Sequence, residues 1–375
     1  MLNKNFVRLL LLATSILPIA VESRTFQSEG SDLLLGVGAE QMAIAGAAVA
    51  STNDVYSIFW NPAGLSEINK TQLSVSKQLN STLSPINFIG LTIISDKLNF
   101  FGLKSTISAA WIPRLHIGAT GAYKKEDLES IFIRFALPDM PSDFDGEVET
   151  KTKDFRFSWA ITPQYNAKWS FALSLSRIDC RSFFCGVSAD DPGNYTASTA
   201  SATAYSGHFG VKYYFSDNLT FGLNVEDIHT VLDVRVISTD KTGTEDNIFS
   251  AALPRDITFG VVWRQSSILH LSFDYEQISG KYSNYDIDIK ILRGGISYYG
   301  DWLNYRSGII LPLVINSDNV GNIKDKLPFH FAPTAGVGWQ NKHWKLDFVM
   351  YAHLLMSHHH RRPYPAADLS ISYKF

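Results

Sequence analysis

The sequence has little charge, only two cysteines and no long apolar run beyond its first residues. Asp, Glu, Lys and Arg together make up 18% of the 375 residues, and mean hydropathy is −0.02. A helical membrane protein is excluded, because its spans need about twenty consecutive apolar residues. The net charge of −3 offers no basic surface of the kind that nucleic acid requires, so no nucleic-acid partner is expected.

The first residues have the composition of an export signal. Lys4 and Arg8 precede the apolar run 9–21, and the small residue Ser23 follows it. This order of a basic, an apolar and a small-residue region is typical of a cleaved signal peptide. We therefore expect residues 1–23 to be removed during export, leaving a mature chain that begins near Arg24.

Apolar and polar residues alternate in several later segments, which indicates strands with one apolar face. The last strand, Leu369 to Phe375, shows the pattern and ends on an aromatic residue. Near-neutral hydropathy with 13% aromatic residues is typical of a barrel whose lipid-facing and lumenal residues alternate. The fold class expected is all-β: a transmembrane antiparallel β-barrel of about fourteen strands over residues 67–375, in the bacterial outer membrane.

The connections between the predicted strands alternate in length, which distinguishes a membrane barrel from a soluble sandwich. Short turns are predicted near Asn166, Asp217, Ser266, Asp301 and Asn341, and long loops at 125–152, 180–201, 230–254 and 312–329. Tryptophans occur beside the short turns at Trp169, Trp263, Trp302, Trp339 and Trp344. An aromatic girdle at one membrane interface is therefore expected, with the short turns in the periplasm.

The predicted third strand, 98–124, is too long for a regular span and contains Pro113. A proline cannot donate a backbone hydrogen bond to the sheet. A break, bulge or kink is therefore expected at Pro113.

Residues 24–66 do not alternate and are predicted to form a separate segment. Gly36, Gly38 and Gly46 lie in a stretch rich in small residues, and Trp60-Asn61-Pro62-Ala63-Gly64 follows it. Small residues allow close backbone approach, and Pro62 favours an extended Asn61. The composition predicts a compact hatch or plug, which a barrel lumen can enclose.

These hatch residues, together with a barrel ending in Phe375, resemble the FadL-type long-chain fatty acid transporters of bacterial outer membranes. The family includes a PorV-type branch and uncharacterised spirochaetal relatives. The resemblance implies hatch-gated transport of long-chain fatty acids or similar hydrophobic ligands, with a lateral route at a kinked third strand. It also implies contact with membrane lipid and recognition of the C-terminal strand by the outer-membrane assembly machinery. A PorV-like secretion shuttle or surface scaffold, and a plugged porin, are the alternatives.

A fatty acid carboxylate needs a cation at one end of an apolar pocket. Arg156, Lys290, Arg306 and Lys345 are the candidates, since each is predicted to face the lumen. The alternative for each is an ion pair with lumenal acids such as Asp286, Asp288 and Asp347, because lumenal charges are usually paired.

No catalytic, cofactor or metal site is expected. Cys180 and Cys185 are an even pair in an exported chain, which suggests a local disulfide rather than a metal site. Three of the four histidines among residues 353–360 are consecutive, and an extended segment cannot direct all of them at one ion. No nucleophile elbow or nucleotide-binding unit occurs, so the protein is not expected to be an enzyme.

Overall fold

The fold is known from a computed structural model. It describes residues 25–30, 36–95, 99, 102–124, 143–181, 188–191, 196–240, 243–282, 285–317, 321–322, 330–353, 356–357 and 362–375. The expected signal peptide, 1–23, lies outside the described residues. Among the residues described, no helix is both long and apolar enough to span a membrane.

Most of the described residues lie in strands, as the alternating sequence predicts. The strands are β1 Thr25–Glu29, β2 Gln72–Gln78, β3 Phe88–Ile94, β4 Leu103–Lys124, β5 Asp143–Pro163, β6 Trp169–Arg181, β7 Ser188–Asp191, β8 Thr196–Ser216, β9 Leu219–Ile228, β10 Val231–Asp240, β11 Gly243–Ala252, β12 Arg255–Arg264, β13 Leu269–Tyr282, β14 Tyr285–Tyr299, β15 Asn304–Ser317, β16 Gly321–Asn322, β17 Ala332–Gln340, β18 Trp344–Ala352 and β19 Pro365–Lys374. Two short helices, α1 Ala39–Ala43 and α2 Ser57–Trp60, and a 3₁₀ helix, Pro62–Glu67, precede β2.

Fourteen of these strands close into an antiparallel barrel, which confirms the predicted fold class and strand number. They are β2–β6, β8, β9, β12–β15 and β17–β19. The seam is the β19–β2 ladder, which runs from the Asp368–Gln78 pair to the Lys374–Gln72 pair. The expected final strand therefore pairs with the first strand of the barrel.

The two ends of the barrel differ. At one end, here called the turn end, the connections 164–168, 217–218, 265–268, 300–303 and 341–343 are short. At the opposite end, here called the loop end, the predicted long loops are partly sheet. β5 begins at Asp143 rather than near residue 153, and the loop predicted at 230–254 contains the β10–β11 hairpin.

The strict alternation of short and long connections was also wrong at one place. β13 ends at Tyr282 and β14 begins at Tyr285, although this connection is at the loop end. Alternation in a sequence marks strand residues, but it does not reveal how far two paired strands continue beyond the membrane.

The outer surface of the barrel carries an apolar band. Phe155, Leu173, Leu175 and Phe273 are each about half exposed or more, while their neighbours Asp154 and Ser174 are buried in the lumen. Trp169, Trp263, Trp302, Trp339 and Trp344 lie at the turn end, and Trp302 is 72% exposed.

The wall is irregular at β4. The β4–β5 ladder shifts register between Pro113 and Leu115, and the β3–β4 ladder extends only from Ile94 to Ile89, opposite Trp111. Residues 25–29, which the sequence interpretation assigned to the hatch, form β1 and pair with β4 in the sheet.

Candidate functional site: the hatch and the lumenal wall

Residues 36–68, here called the hatch, lie inside the barrel and are largely buried. Val37, Ile58, Leu65 and Ile68 pack in one hydrophobic core with the wall residue Ile112. The hatch turns sharply because Gly36, Gly38 and Gly46 have φ of 76°, 85° and 73°, a region that glycine enters at little cost.

Asn61 and Pro62 start the 3₁₀ helix. Asn61 is extended (φ −165°) and its side chain accepts a hydrogen bond from the Ala63 amide, while Pro62 takes the first helical position. A side-chain acceptor before the helix and a proline at its first position are both favoured for helix starts. The sequence Asn-Pro-Ala therefore determines this local conformation.

Asn61 also joins the hatch to itself and to the wall. Its Nδ2 donates to the carbonyl oxygens of Val49 in the hatch, at 2.8 Å, and Val211 in β8, at 3.0 Å. With the Ala63 bond, three hydrogen bonds converge on one side chain that is 0% exposed.

Trp60 closes the first turn of the hatch. Its Nε1 donates to the Val37 carbonyl at 2.8 Å, and its ring packs directly over Gly36. A Cβ at Gly46 would lie 2.5 Å from the Trp60 ring and 2.8 Å from the guanidinium of Arg293.

The substitution Gly46→Ala should therefore loosen the hatch. Overpacking costs about 1–3 kcal/mol, and the left-handed backbone adds about 1–2 kcal/mol. In planar bilayers, we expect the conductance of the purified variant to fluctuate and to be higher than that of the unmodified protein. Gly207→Ala is the matched control, because a Cβ there meets nothing within 4 Å. Equal conductance of the two variants would show that this contact does not hold the hatch.

Glycines of the wall allow the hatch to approach closely. A Cβ at Gly222 would lie 2.5 Å from the Val49 carbonyl oxygen, and one at Gly308 would lie 2.5 Å from the carbonyl carbon of Ile44. Gly210 lies under Asn61 and Pro62 in the same way. The hatch backbone thus packs against strand backbone where the strands lack side chains.

Charged groups connect the first helix of the hatch to the wall at the turn end. Glu40 pairs with Arg306 at 2.5 Å and with Lys345, and Lys345 also pairs with Asp54 at 2.8 Å. Arg306 pairs with Asp347 at 2.9 Å. Burial raises the pKa of Glu40, but Arg306 and Lys345 outweigh it and lower that pKa to about 2. These five residues, here called the central ion cluster, contain three carboxylates and two cations.

Two further contacts fix the side of the hatch that faces the loop end. Asp274 in β13 accepts from the Val49 amide at 2.9 Å. Arg293 in β14 donates to the Ala45 carbonyl at 3.1 Å and pairs with Glu276 at 2.5 Å. Each holds a backbone group of the hatch with a buried side chain from the wall.

The last turn of the hatch is fixed at the turn end. Lys212 pairs with Glu67 and donates to the Thr52 carbonyl at 2.9 Å. Tyr214 donates to Glu67 at 2.9 Å, and Ser170 donates to the Ala63 carbonyl at 2.8 Å. The hatch is thus held around its circumference by discrete polar contacts.

The four cations predicted to bind a carboxylate lie in ion pairs. Arg156 contacts Asp154 at 2.8 Å and Glu226 at 3.0 Å, and donates to the Ile58 carbonyl. Lys290, which is partly exposed, pairs with Asp288 at 3.0 Å. Arg306 and Lys345 belong to the central ion cluster. The paired alternative therefore describes all four, with acids that include Asp288 and Asp347.

The predicted disulfide and the histidine segment are only partly within the described residues. Cys180 is disulfide-bonded, and Cys185 lies outside the described residues. His353 is buried, whereas residues 358–361 lie outside the described part. In the described part of the chain, no group of three or more His, Cys, Asp or Glu is placed to hold a metal ion.

Sequence reasoning missed the hatch acids Glu40 and Asp54, the wall residues Arg293 and Lys212, and the lumenal glycines. Gly210, Gly222 and Gly308 were detectable in principle, because each occupies a lumenal position in an alternating strand. Glu40 and Arg306 are 266 residues apart, and no local signal links them.

Known structures share this architecture. No protein-family model matches the sequence, and a search of curated proteins found no match. The Ralstonia pickettii toluene transporter TbuX aligns with a TM-score of 0.57 and 13% identity over 91% of this chain and 99% of that one. The P. putida toluene transporter TodX gives a TM-score of 0.56 and 12% identity, covering 91% and 99% of the two chains.

A Pseudomonas aeruginosa FadL homologue aligns with a TM-score of 0.57 and 12% identity over 93% of this chain and 98% of that one. At sequence identities this low, the structural similarity establishes a common fold and nothing further. The chain therefore has the fold of the FadL-type transporters, the family that the hatch residues resemble.

Proposed function

We propose that this protein carries hydrophobic small molecules across the bacterial outer membrane, through a barrel that its hatch opens and closes. The observation that carries the proposal is a closed barrel filled by its own segment 36–68, which discrete polar contacts hold in place. A structural core would not need buried charges at this position, since apolar packing is generally as stable. A segment that moves within the lumen, in contrast, needs polar contacts that can break and form again with other groups.

An apolar cluster at the loop end supports a hydrophobic cargo. Ile178, Leu232, Val234 and Leu253 pack there with Ala200, Ala202 and Ala204. A porin for polar solutes has a polar lumen. The toluene transporters with the same fold have hydrophobic cargo according to their names.

Long-chain fatty acids are one cargo within this proposal. A carboxylate that reached Arg156 would compete with Glu226, which lies 3.0 Å from the guanidinium. Because Arg156 also donates to the Ile58 carbonyl of the hatch, such a competition would act on the hatch directly. Toluene has no carboxylate, so its transport would not involve this competition for Arg156.

Uptake of labelled oleate and labelled toluene tests the proposal. The protein is expressed in a host strain without its own transporters for these compounds, and we expect uptake of at least one compound above the empty-vector strain. The same host expressing a general porin is the control for leakage. No uptake of either compound, together with no hydrophobic molecule retained by the purified barrel, would refute the proposal.

A PorV-like scaffold is the second candidate function, and the loop end favours it. The β10–β11 hairpin stands beyond the wall and pairs with β8 through residues 197–201. Ile248 on this hairpin is 72% exposed. Recovery of one surface protein with the full chain, but not after deletion of 231–252, would support a scaffold.

A further inference from the structure

Three basic side chains lie on the outer face of the barrel wall near the loop end. They are Lys151 and Lys153 of β5 and Arg177 of β6. The even-numbered residues from 152 to 158 and from 170 to 180 are all buried. Because side chains alternate along a strand, the odd-numbered residues of both strands face outward. We call Lys151, Lys153 and Arg177 the basic patch.

The strand register brings the three cations of the basic patch together. Arg177 lies between Phe155 of β5 and Tyr205 of β8. One pair closer to the loop end, Lys153 is the register partner of Asp179. Lys153 is thus diagonal to Arg177, a separation of about 7–8 Å, and it lies about 7 Å along the strand from Lys151. Side chains as long as these can reach one ligand head group.

The two lysines of the basic patch carry charge that is not balanced by a neighbouring acid. Among the residues that the structure describes, neither Lys151 nor Lys153 forms an ion pair. Glu149, the next outward residue of β5, contacts His116 at 2.8 Å instead. The lysine charges are therefore available to an anionic ligand.

Arg177 is oriented by Asp179 but keeps donors for a ligand. Its Nη2 and Nε lie 3.1 and 3.2 Å from the same carboxylate oxygen of Asp179. The Thr203 hydroxyl donates to that oxygen at 3.0 Å. A guanidinium has five N–H donors in a fixed plane, so the Nη1 group remains for a ligand. This geometry suits the oxygens of a phosphate group.

A shallow apolar depression lies beside the basic patch, on the side of the turn end. Gly207 of β8 is the register partner of Leu175. A Cβ at Gly207 would meet no atom of the described residues within 4 Å. Phe157, Leu175 and Tyr205 stand around it and are each half exposed or more. The outer wall thus has room for an acyl chain one row away from Arg177.

The charge and the apolar depression together indicate what the surface binds. The short turns predict that the turn end is periplasmic, which places the basic patch at the outer leaflet. Clusters of lysine and arginine at a membrane surface bind the phosphates of lipid head groups. A soluble anion would contact the cations but not the depression at Gly207. A phosphorylated lipid contacts both.

We propose that the outer face of β5, β6 and β8 binds one phosphorylated lipid of the outer leaflet. The basic patch holds the phosphate groups, and an acyl chain lies over Gly207 against Leu175. The inference is independent of the transported cargo, because all of these side chains face away from the lumen. The bound lipid would fix the height of this part of the wall in the membrane.

Native mass spectrometry of the full chain with diphosphorylated lipid A tests the proposal. We expect one bound lipid A, in preference to phosphatidylethanolamine. The double substitution Lys151→Gln and Lys153→Gln should weaken lipid A binding about 25-fold, since each basic residue at an anionic membrane surface contributes about fivefold. Heat-modifiable electrophoresis shows whether the variant is folded. Unchanged binding in the folded double variant would overturn the proposal.

Arg255→Gln combined with Lys281→Gln is the matched control. Both side chains are exposed at the loop end of the wall, on β12 and β13, and Lys281 lies 3.9 Å from Asp286. The control removes the same charge at another place on the barrel, so lipid A binding should hardly change. An equal loss in both double variants would show a general charge effect and no specific site.

Modified ligands separate a lipid site from an anion site. Lipid A without its phosphates should bind the unmodified protein as weakly as diphosphorylated lipid A binds the lysine double variant. The deacylated head group should bind more weakly than the lipid. Gly207→Leu, which fills the depression, should weaken lipid A binding and leave head-group binding unchanged.

Three further results would overturn the proposal. One is that the unmodified protein binds no lipid A. Another is that the deacylated head group or inorganic phosphate binds as tightly as lipid A, because the surface would then be an anion site. The third is a dimer that forms without lipid and is lost in the lysine double variant, because the basic patch would then be a contact between two copies of the chain.

Discussion

Replacing Lys345 with methionine is expected to open the barrel to ions. The central ion cluster has three carboxylates, on Glu40, Asp54 and Asp347, and Lys345 contacts all three. Removal of one partner from a buried ion pair costs about 3–5 kcal/mol. Because tenfold corresponds to about 1.4 kcal/mol, the open hatch should become about two to four orders of magnitude more populated. Single-channel recording in planar bilayers measures the conductance.

The net charge that each substitution leaves in the central ion cluster provides an internal control. Lys345→Met leaves Arg306 with three carboxylates, whereas Glu40→Gln leaves two cations with two carboxylates. The conductance of Glu40→Gln should therefore stay closer to that of the unmodified protein. If Glu40→Gln opened the barrel further than Lys345→Met, charge balance would not be what holds this side of the hatch.

The same cluster predicts a dependence on pH. The low pKa of Glu40, about 2, keeps its carboxylate ionised. The stabilisation that its ion pairs give to the closed hatch is therefore fully present above the pKa of an unfolded glutamate. It is lost only as the pH falls towards 2. The ion pairs of Glu40 with Arg306 and Lys345 should therefore still be present at pH 5, and single-channel recording at pH 7 and pH 5 measures whether the hatch stays closed.

Asn61→Leu is expected to release the hatch as strongly by a different route. The change keeps the approximate size of the side chain but leaves the Val49 and Val211 carbonyls and the Ala63 amide without their partner. Each buried group without a hydrogen bond costs about 1–3 kcal/mol. We expect a high and fluctuating conductance, together with faster trypsin cleavage after Lys70.

A variant on the wall separates this contact from the fold of the hatch itself. Gly210→Ala places a methyl group against Asn61 and 2.8 Å from the Pro62 Cδ, without altering the hatch sequence. It should reproduce the conductance of Asn61→Leu. Asn166→Ala, at an exposed turn, is the control and should have no effect. If the barrel stays closed in both Asn61→Leu and Gly210→Ala, the hydrogen bonds of Asn61 do not hold the hatch in place.

The sequence alone determined the barrel and the hatch. Alternation determines which side chains share a face, and the lengths of the connections distinguish a barrel between lipid and lumen from a soluble sandwich. The same alternation also gave a strand number of about fourteen, because the strands in the wall carry this pattern. The glycines and the Asn61-Pro62 pair determine the local turns of the hatch, since φ of these residues depends mainly on the residue itself.

Only the tertiary structure decided which groups meet. The partners of Arg156, Arg306 and Lys345 come from distant segments, and their pairing depends on the orientation in which the hatch packs against the wall. Pro113 predicted an irregular strand, but not that β1 pairs with β4 beyond the register shift, nor that Arg114 pairs with Asp227 in β9. Local sequence records backbone preference and burial, whereas a contact across the lumen depends on how the whole barrel closes.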